Sequence, residues 1–315
     1  MRPKVTVTCA LLAAAALFAI AISGAAQGSF VGQVRAAASA GNFARAQQLV
    51  DAYRQARGVT PELILGVSWI ARGAQASGVW DVAEKYAAEA RRLALEELKK
   101  RPLDADEDLP LALGASIEVH AHRLAARNAR AEAVAFLERE LKQWRATSMR
   151  TRIQKNLHLL SLAGKPAPPL DTKEYVGAAP QTLEQLKGRP VILFFWAHWC
   201  GDCKQQKTAL EQLLQEHGAN GLVVMGPTQR YGYAARGEDA TPAEELRYIA
   251  AMRESFYGTL PMGVPVSEEN FKAWGASTTP TLAVIDRKGI VRLYHAGRLP
   301  HEKLAPVVAE VVREK

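Results

Sequence analysis

Between residues 30 and 163 apolar and polar positions alternate every three to four residues. The segments are rich in Ala, Leu, Arg and Glu, with proline only at positions 61, 102 and 110. This pattern predicts a series of amphipathic helices, each turning one face to a shared core. It also repeats. GNFARAQQLV from Gly41 and GVWDVAEKYAAEA from Gly78 superpose at an offset of 37 residues, so that Phe43 matches Trp80 and Ala46 matches Ala83. A looser third copy, NARAEAVAFLE, begins at Asn128, 50 residues further on, and the acidic stretch RPLDADEDLP accounts for much of the extra length. A small residue, then an aromatic, then an alanine three further is how helical hairpins pack their turns.

The period changes at GKPAPPLD, a proline-rich stretch over residues 164–171. Beyond it RPVILFF, residues 189–195, is a continuous apolar run of strand length, as expected of a strand buried on both faces. After Cys203 the segment KQQKTALEQLLQEHG sets Leu210, Leu213 and Leu214 at helical spacing, with Gly218 placed to end the helix. Residues 222–225 read as a further strand. An aromatic loop and a helix follow, the helix capped by Thr241 with Pro242 in its first turn and Glu244 completing a capping box. Arg230, Tyr231 and Tyr233 on the loop either shape a substrate groove or pack as ordinary loop residues. The chain of 315 residues is 48% hydrophobic, enough to bury about two domains. We place them at 27–163, all-α helical hairpins, and 164–315, α/β.

The formal charge of +8 does not gather into a nucleic-acid surface. Arg2 and Lys4 contribute +2, residues 27–163 contribute +5 and residues 164–315 only +1, with signs alternating along the helical segments. At the N-terminus Arg2 and Lys4 precede an apolar run from Cys9 to Ile22 and the small residues SGAAQG. Residues 1–26 therefore read as an export signal peptide cleaved after Ala25 or Ala26, or as a short uncleaved anchor. Either places the rest of the chain outside the cytoplasm, at a membrane only if the segment is retained.

That location gives meaning to FFWAHWCGDCK. Cys200 and Cys203 are the only cysteines apart from Cys9, and an oxidising compartment lets a disulfide form and persist. A bond closing so small a loop removes little chain entropy, so it is a poor structural staple. A structural zinc needs about four ligands, and no second cysteine pair accompanies the first. Redox chemistry remains. Strand, short loop and helix put Cys200 at a helix N-terminus, where unpaired N–H groups favour a thiolate. Cys203 lies one turn inside, placed to attack a mixed disulfide formed on Cys200.

W-A-x-W-C-x-x-C-K resembles the active-site signature of the thioredoxin superfamily. Residues 164–204 are similar to the opening of its extracytoplasmic TlpA/ResA-type members. WGASTTPTLAVIDRKGIVRLYHAG, from Trp274, resembles that family's cis-proline strand and following hairpin, with Pro280 as the cis-proline. The resemblance covers residues 164–315. It implies a central mixed sheet flanked by helices, thiol–disulfide exchange without a cofactor or metal, and a docking edge formed by Trp199, Thr279 and Pro280. The first half resembles degenerate tetratricopeptide repeats. Peroxiredoxin-type sites resemble P-x-x-x-T-x-x-C, and Leu193 and Ala197 occupy the corresponding positions, so the hydroxyl that orients peroxide is missing.

The chain departs from the families it resembles at two acids. Thioredoxins carry a buried acid where Phe194 stands, and ResA-like members carry a glutamate where Gln206 stands. Asp202 is either a substitute proton acceptor for Cys203 or a solvated residue of the first helical turn. Its charge opposes thiolate formation, which Lys204, Lys207 and His198 favour. Two functions compete. One is an exported thiol–disulfide oxidoreductase whose helical half positions a partner, reducing a cysteine-containing substrate protein with electrons from an upstream thiol donor. The other is an interaction scaffold in which the thioredoxin-like half is a binding module. The pair Cys200 and Cys203, kept together with Trp199, Thr279 and Pro280, favours the enzyme, since a binding module has no need of two thiols.

Overall fold

The computed structural model describes residues 28–314. The segment read as a signal or anchor, residues 1–26, lies outside the described residues. The first region consists of helices α1 (Phe30–Ser39), α2 (Phe43–Arg57), α3 (Pro61–Ala76), α4 (Trp80–Glu97), α5 (Asp108–Ala126), α6 (Arg130–Trp144) and α7 (Arg150–Ser161). Local chemistry sets several starts. The Asn42 side chain accepts from the Arg45 amide and the Thr60 hydroxyl from that of Leu63, with Pro61 at the first helical position.

Three turns repeat where the sequence repeats. Gly41, Gly78 and Asn128 each adopt positive φ, of 73°, 72° and 64°. The residue after each donates its amide back to the preceding helix: Asn42 to Ala37 O, Val79 to Ala74 O and Ala129 to Leu124 O, at 2.9–3.0 Å. This pairing closes a helix end over a left-handed residue. The alanine five positions beyond each turn residue, Ala46, Ala83 and Ala133, is fully buried, which lets the paired helices approach closely. Three hairpins, α1–α2, α3–α4 and α5–α6, therefore share one construction. A 3-10 turn at Leu103–Ala105 leads into the third.

Glu118 on α5 is buried and gathers Arg152 at 3.2 Å and Lys155 at 3.3 Å, both from α7, with Arg72 of α3 at 3.9 Å. Burial alone would raise its pKa. The three cations and the amide of Asn156 instead hold it at about 2.

The second region has a four-stranded sheet in the order β3-β2-β5-β6, formed by β2 (Val191–Phe195), β3 (Val223–Met225), β5 (Thr281–Ile285) and β6 (Val291–Ala296). β2 runs parallel to β3 and antiparallel to β5, and β5 is antiparallel to β6. A short pair, β1 (Tyr175–Val176) with β4 (Val264–Pro265), lies beyond β3 through the bridges Met225–Gly263 and Thr228–Val266. Helices α8 (Gly201–His217), α9 (Pro242–Tyr257), α10 (Glu268–Trp274) and α11 (His301–Arg313) flank the sheets. Strand β2 is buried throughout, as its apolar run predicts, and its side chains alternate between two cores. Ile192 and Phe194 face the core of α8, α9 and α11, while Val191, Leu193 and Phe195 face that of α10. The capping box on α9 is formed by Thr241 and Glu244. Helix α8 ends at His217 as expected, but Gly218 stays in the right-handed region and a 3-10 turn carries the chain to Gly221, the residue with positive φ. Among the described residues no helix is long and apolar enough to cross a membrane.

Helix α7 serves both regions. Ile153 and Leu157 join the helical core, while Leu159 and Leu162 pack into the core beneath α10. His158 Nε2 lies 3.0 Å from Ala273 O, and its ring meets that of Tyr294 edge-on at 5.4 Å. Gly275, at φ +63°, sits against the α7 backbone so closely that a Cβ there would lie 2.4 Å from Lys155 N. Only glycine combines that backbone conformation with that approach.

Candidate functional site

Cys200 is the N-cap of α8, and its sulfur accepts from the Cys203 amide at 3.0 Å. The two sulfurs form a disulfide. In the reduced chain the same amide, with the positive end of the helix, would face a Cys200 thiolate and stabilise it. Cys203 is fully buried and Cys200 is 3% exposed, whereas Trp199 beside them is 52% exposed. The indole marks the open side of the pair.

The Thr279–Pro280 peptide bond is cis. The Thr281 hydroxyl donates to Thr278 O at 2.6 Å and the Gly297 amide to Pro280 O at 2.7 Å, which fixes the loop. Trp199, Tyr231, Ser277 and Thr279 line one cavity of about 210 Å³, so segments far apart in sequence meet at this edge. The rings of Trp199 and Tyr231 meet edge-on at 5.5 Å. The Thr279 hydroxyl is shielded and has no partner among the described residues.

The two positions where the resemblance leads one to expect an acid have other tasks. Phe194 is sealed in the core, edge-on to Tyr257. Gln206 uses both ends of its amide on one residue, donating to Leu299 O at 2.9 Å and accepting from Leu299 N at 2.8 Å. Asp202 is exposed in the first turn of α8. The Lys204 ammonium lies 3.7 Å from the centre of the Phe256 ring. Leu193 and Ala197 are buried hydrocarbon and supply no hydroxyl near Cys200.

A buried carboxylate against the cysteine loop belongs to Glu245, which sequence reasoning does not single out. It accepts from the amides of Tyr231 and Gly232, at 2.5 and 2.8 Å, and lies 3.1 Å from His198 Nε2. The rings of Tyr231, Tyr233 and Tyr248 meet the imidazole edge-on at 5.2–5.5 Å. Burial lowers the His198 pKa, against the pull of the Glu245 carboxylate. Two residues before Cys200, His198 thereby ties the cysteine loop to α9. Of the loop residues weighed as groove-formers, Tyr231 lines the cavity, while Arg230 turns away to pair with Glu174 and Pro242 O. The signal in the sequence was faint: the capping box explains Glu244 and leaves the adjacent Glu245 without a task.

Residues 163–294 match the AhpC/TSA family. The thioredoxin-like protein YneN of Bacillus subtilis (strain 168) is 27% identical over 142 residues, covering 45% of this chain and 75% of that protein. The thiol:disulfide interchange protein DsbE of Xylella fastidiosa (strain 9a5c) is 29% identical over 160 residues, covering 48% of this chain and 72% of its own length. Among solved structures, a thiol:disulfide interchange protein of the thioredoxin family from Chlorobium tepidum TLS covers 47% of this chain and 97% of itself, at 21% identity and a TM-score of 0.38. All three likenesses fall on half of the chain or less.

Proposed function

We propose, from a chain whose second half is a thioredoxin-like thiol–disulfide oxidoreductase domain, that the whole protein is exported and reduces disulfides of substrate proteins through Cys200 and Cys203. The Cys200 thiolate attacks one sulfur of the substrate disulfide, the S–S bond breaks, and the other sulfur leaves as a thiolate that takes a proton. Cys203 then gives up its proton and attacks Cys200 Sγ. The second substrate thiol departs, two electrons have passed to the substrate, and the Cys200–Cys203 disulfide remains for an upstream dithiol donor to reduce. Trp199, Thr279 and Pro280 form the docking edge, and Asp202 and Lys204 adjust the charge around α8. The helical half, read as a tetratricopeptide-like array over residues 27–163, positions the partner. The compartment is extracytoplasmic, a bacterial periplasm.

One observation carries the reading. Cys200 Sγ alone of the two occupies the N-cap and accepts the Cys203 amide at 3.0 Å. The test is trapping. Cys203→Ser accumulates mixed disulfides with proteins of the compartment, and Cys200→Ser traps none. Equal trapping by both variants, or by neither, removes the assignment.

A further inference from the structure

Beside the cavity at the docking edge lies a larger cleft, of about 600 Å³, between the two regions. The two share Ser277, and they are bordered by one helix. Thr151 of α7 lines the smaller, and Arg152 next to it and Lys155 one turn further on line the larger. The two cavities thus adjoin at Ser277, with Thr278 lining the larger and Thr279 the smaller. One holds Trp199, and the other reaches α3, α5 and the 3-10 turn of the helical region. The lining is mixed: Arg72, Arg152 and Lys155, three cations sharing the single carboxylate of Glu118, border it together with Asp104, Asp106 and Glu107, and Leu111 is half exposed among them. The volume is that of a ligand site and exceeds what one cysteine side chain fills.

We propose that the helical region forms one wall of the substrate site. The occupant is an extended segment of the substrate protein, on one side of its reacting cysteine. That segment leaves Thr279, passes over Ser277 and Thr278, and lays an apolar side chain on Leu111 and charged side chains of both signs between the acidic and basic walls. The occupant follows from continuity, since a chain held beside Thr279 has the cleft as its next space. It also follows from composition, because walls of both signs around an exposed leucine suit a mixed polypeptide better than a single anion. The inference rests on Cys200 being the attacking thiol.

The test uses the full chain carrying Cys203→Ser, reduced, so that reaction stops at the mixed disulfide. Two probes carry cysteine as a mixed disulfide with thionitrobenzoate. One is N-acetylcysteine, and the other is a peptide of about twelve residues containing leucine, lysine and glutamate on both sides of the cysteine. Cys200 attacks the cysteine sulfur, the S–S bond breaks, and coloured thionitrobenzoate leaves with the electron pair. We expect the peptide to react about tenfold faster than N-acetylcysteine, a ratio worth ~1.4 kcal/mol. Leu111→Lys and Glu107→Lys are both surface changes, and a fall of this ratio by about threefold or more in either supports the inference. A ratio near one in the parent protein, or a ratio unmoved by both variants, overturns it and leaves the reading of Cys200 standing. Failure to react even with N-acetylcysteine overturns that reading, and the inference with it.

Discussion

Glu245 Oε1 lies 3.1 Å from His198 Nε2, with both side chains only 1% exposed, and the same carboxylate receives the Tyr231 and Gly232 amides. Helix α9 is thereby fastened to the loop that presents the cysteines. Glu245→Gln keeps the shape but replaces one acceptor oxygen with an NH₂, which then faces a donor. Leaving one buried donor unmet costs about 1–3 kcal/mol, and Glu245→Ala, which leaves three, costs more. Urea unfolding reads the stability. Trp199 fluorescence reads the loosening of Tyr231 from the docking edge.

Gln206 supplies the second prediction. Its amide donates to and accepts from the Leu299 backbone, so Gln206→Glu, the residue that the resemblance to ResA-like proteins leads one to expect there, loses the donor. A carboxylate oxygen would then face Leu299 O. The variant should lose about 1–3 kcal/mol in denaturant unfolding, despite its resemblance to related chains. No loss would mean that the loop before α11 rearranges freely.

Stability should fall with acid in two stages. Burial lowers the folded pKa of His158 and of His198 below the ordinary 6.5. Between that value and the lower folded values the unfolded chain binds more protons, so stability is full above about pH 6.5 and declines as pH falls through the window. Glu118 acts later, because its folded pKa of about 2 lies below the ordinary 4.5. Its contribution, roughly 3 kcal/mol, is present above 4.5 and lost between there and 2. Thermal melting against pH checks both stages, and His158→Gln should flatten the first.

Helix α7 decides how the chain can be cut. A fragment starting at Ser161 discards Leu159, the His158 contact to Ala273 O and the backbone against which Gly275 packs. We expect it to aggregate or to melt well below a fragment starting at Ser148, which keeps the whole of α7. The longer fragment should still reduce a small disulfide. Equal melting temperatures would show that the seam contributes nothing to the second region.

What the sequence revealed was what neighbours in the chain determine. The strand, loop and helix around Cys200 follow from an apolar run and a leucine period, and Gly41 and Gly78 announce their turns because few other residues accept positive φ. Asn128 was readable for the same reason, as asparagine tolerates that region. The His198–Glu245 contact was not readable. It joins residues 47 positions apart through a loop whose packing no periodicity encodes. The role of Gln206 was hidden likewise, since its partner Leu299 is 93 positions away and a buried amide looks the same in sequence as an exposed one. Arg230 shows the converse. Its place on the aromatic loop left a role in the groove open, and the fold pairs it with Glu174.

Gly275 bears on how association proceeds. The backbone leading to Thr279 and Pro280 is braced on α7 with no room for even a methyl group. Its conformational freedom was surrendered when the chain folded, so a polypeptide docking there as proposed above would have only its own disorder to lose. Preorganisation of this kind cuts the entropic cost of docking. A wedge such as Gly275→Ala would return that disorder to the loop, and on the proposed docking the substrate would meet it as a slower and weaker encounter although no side chain it touches had changed.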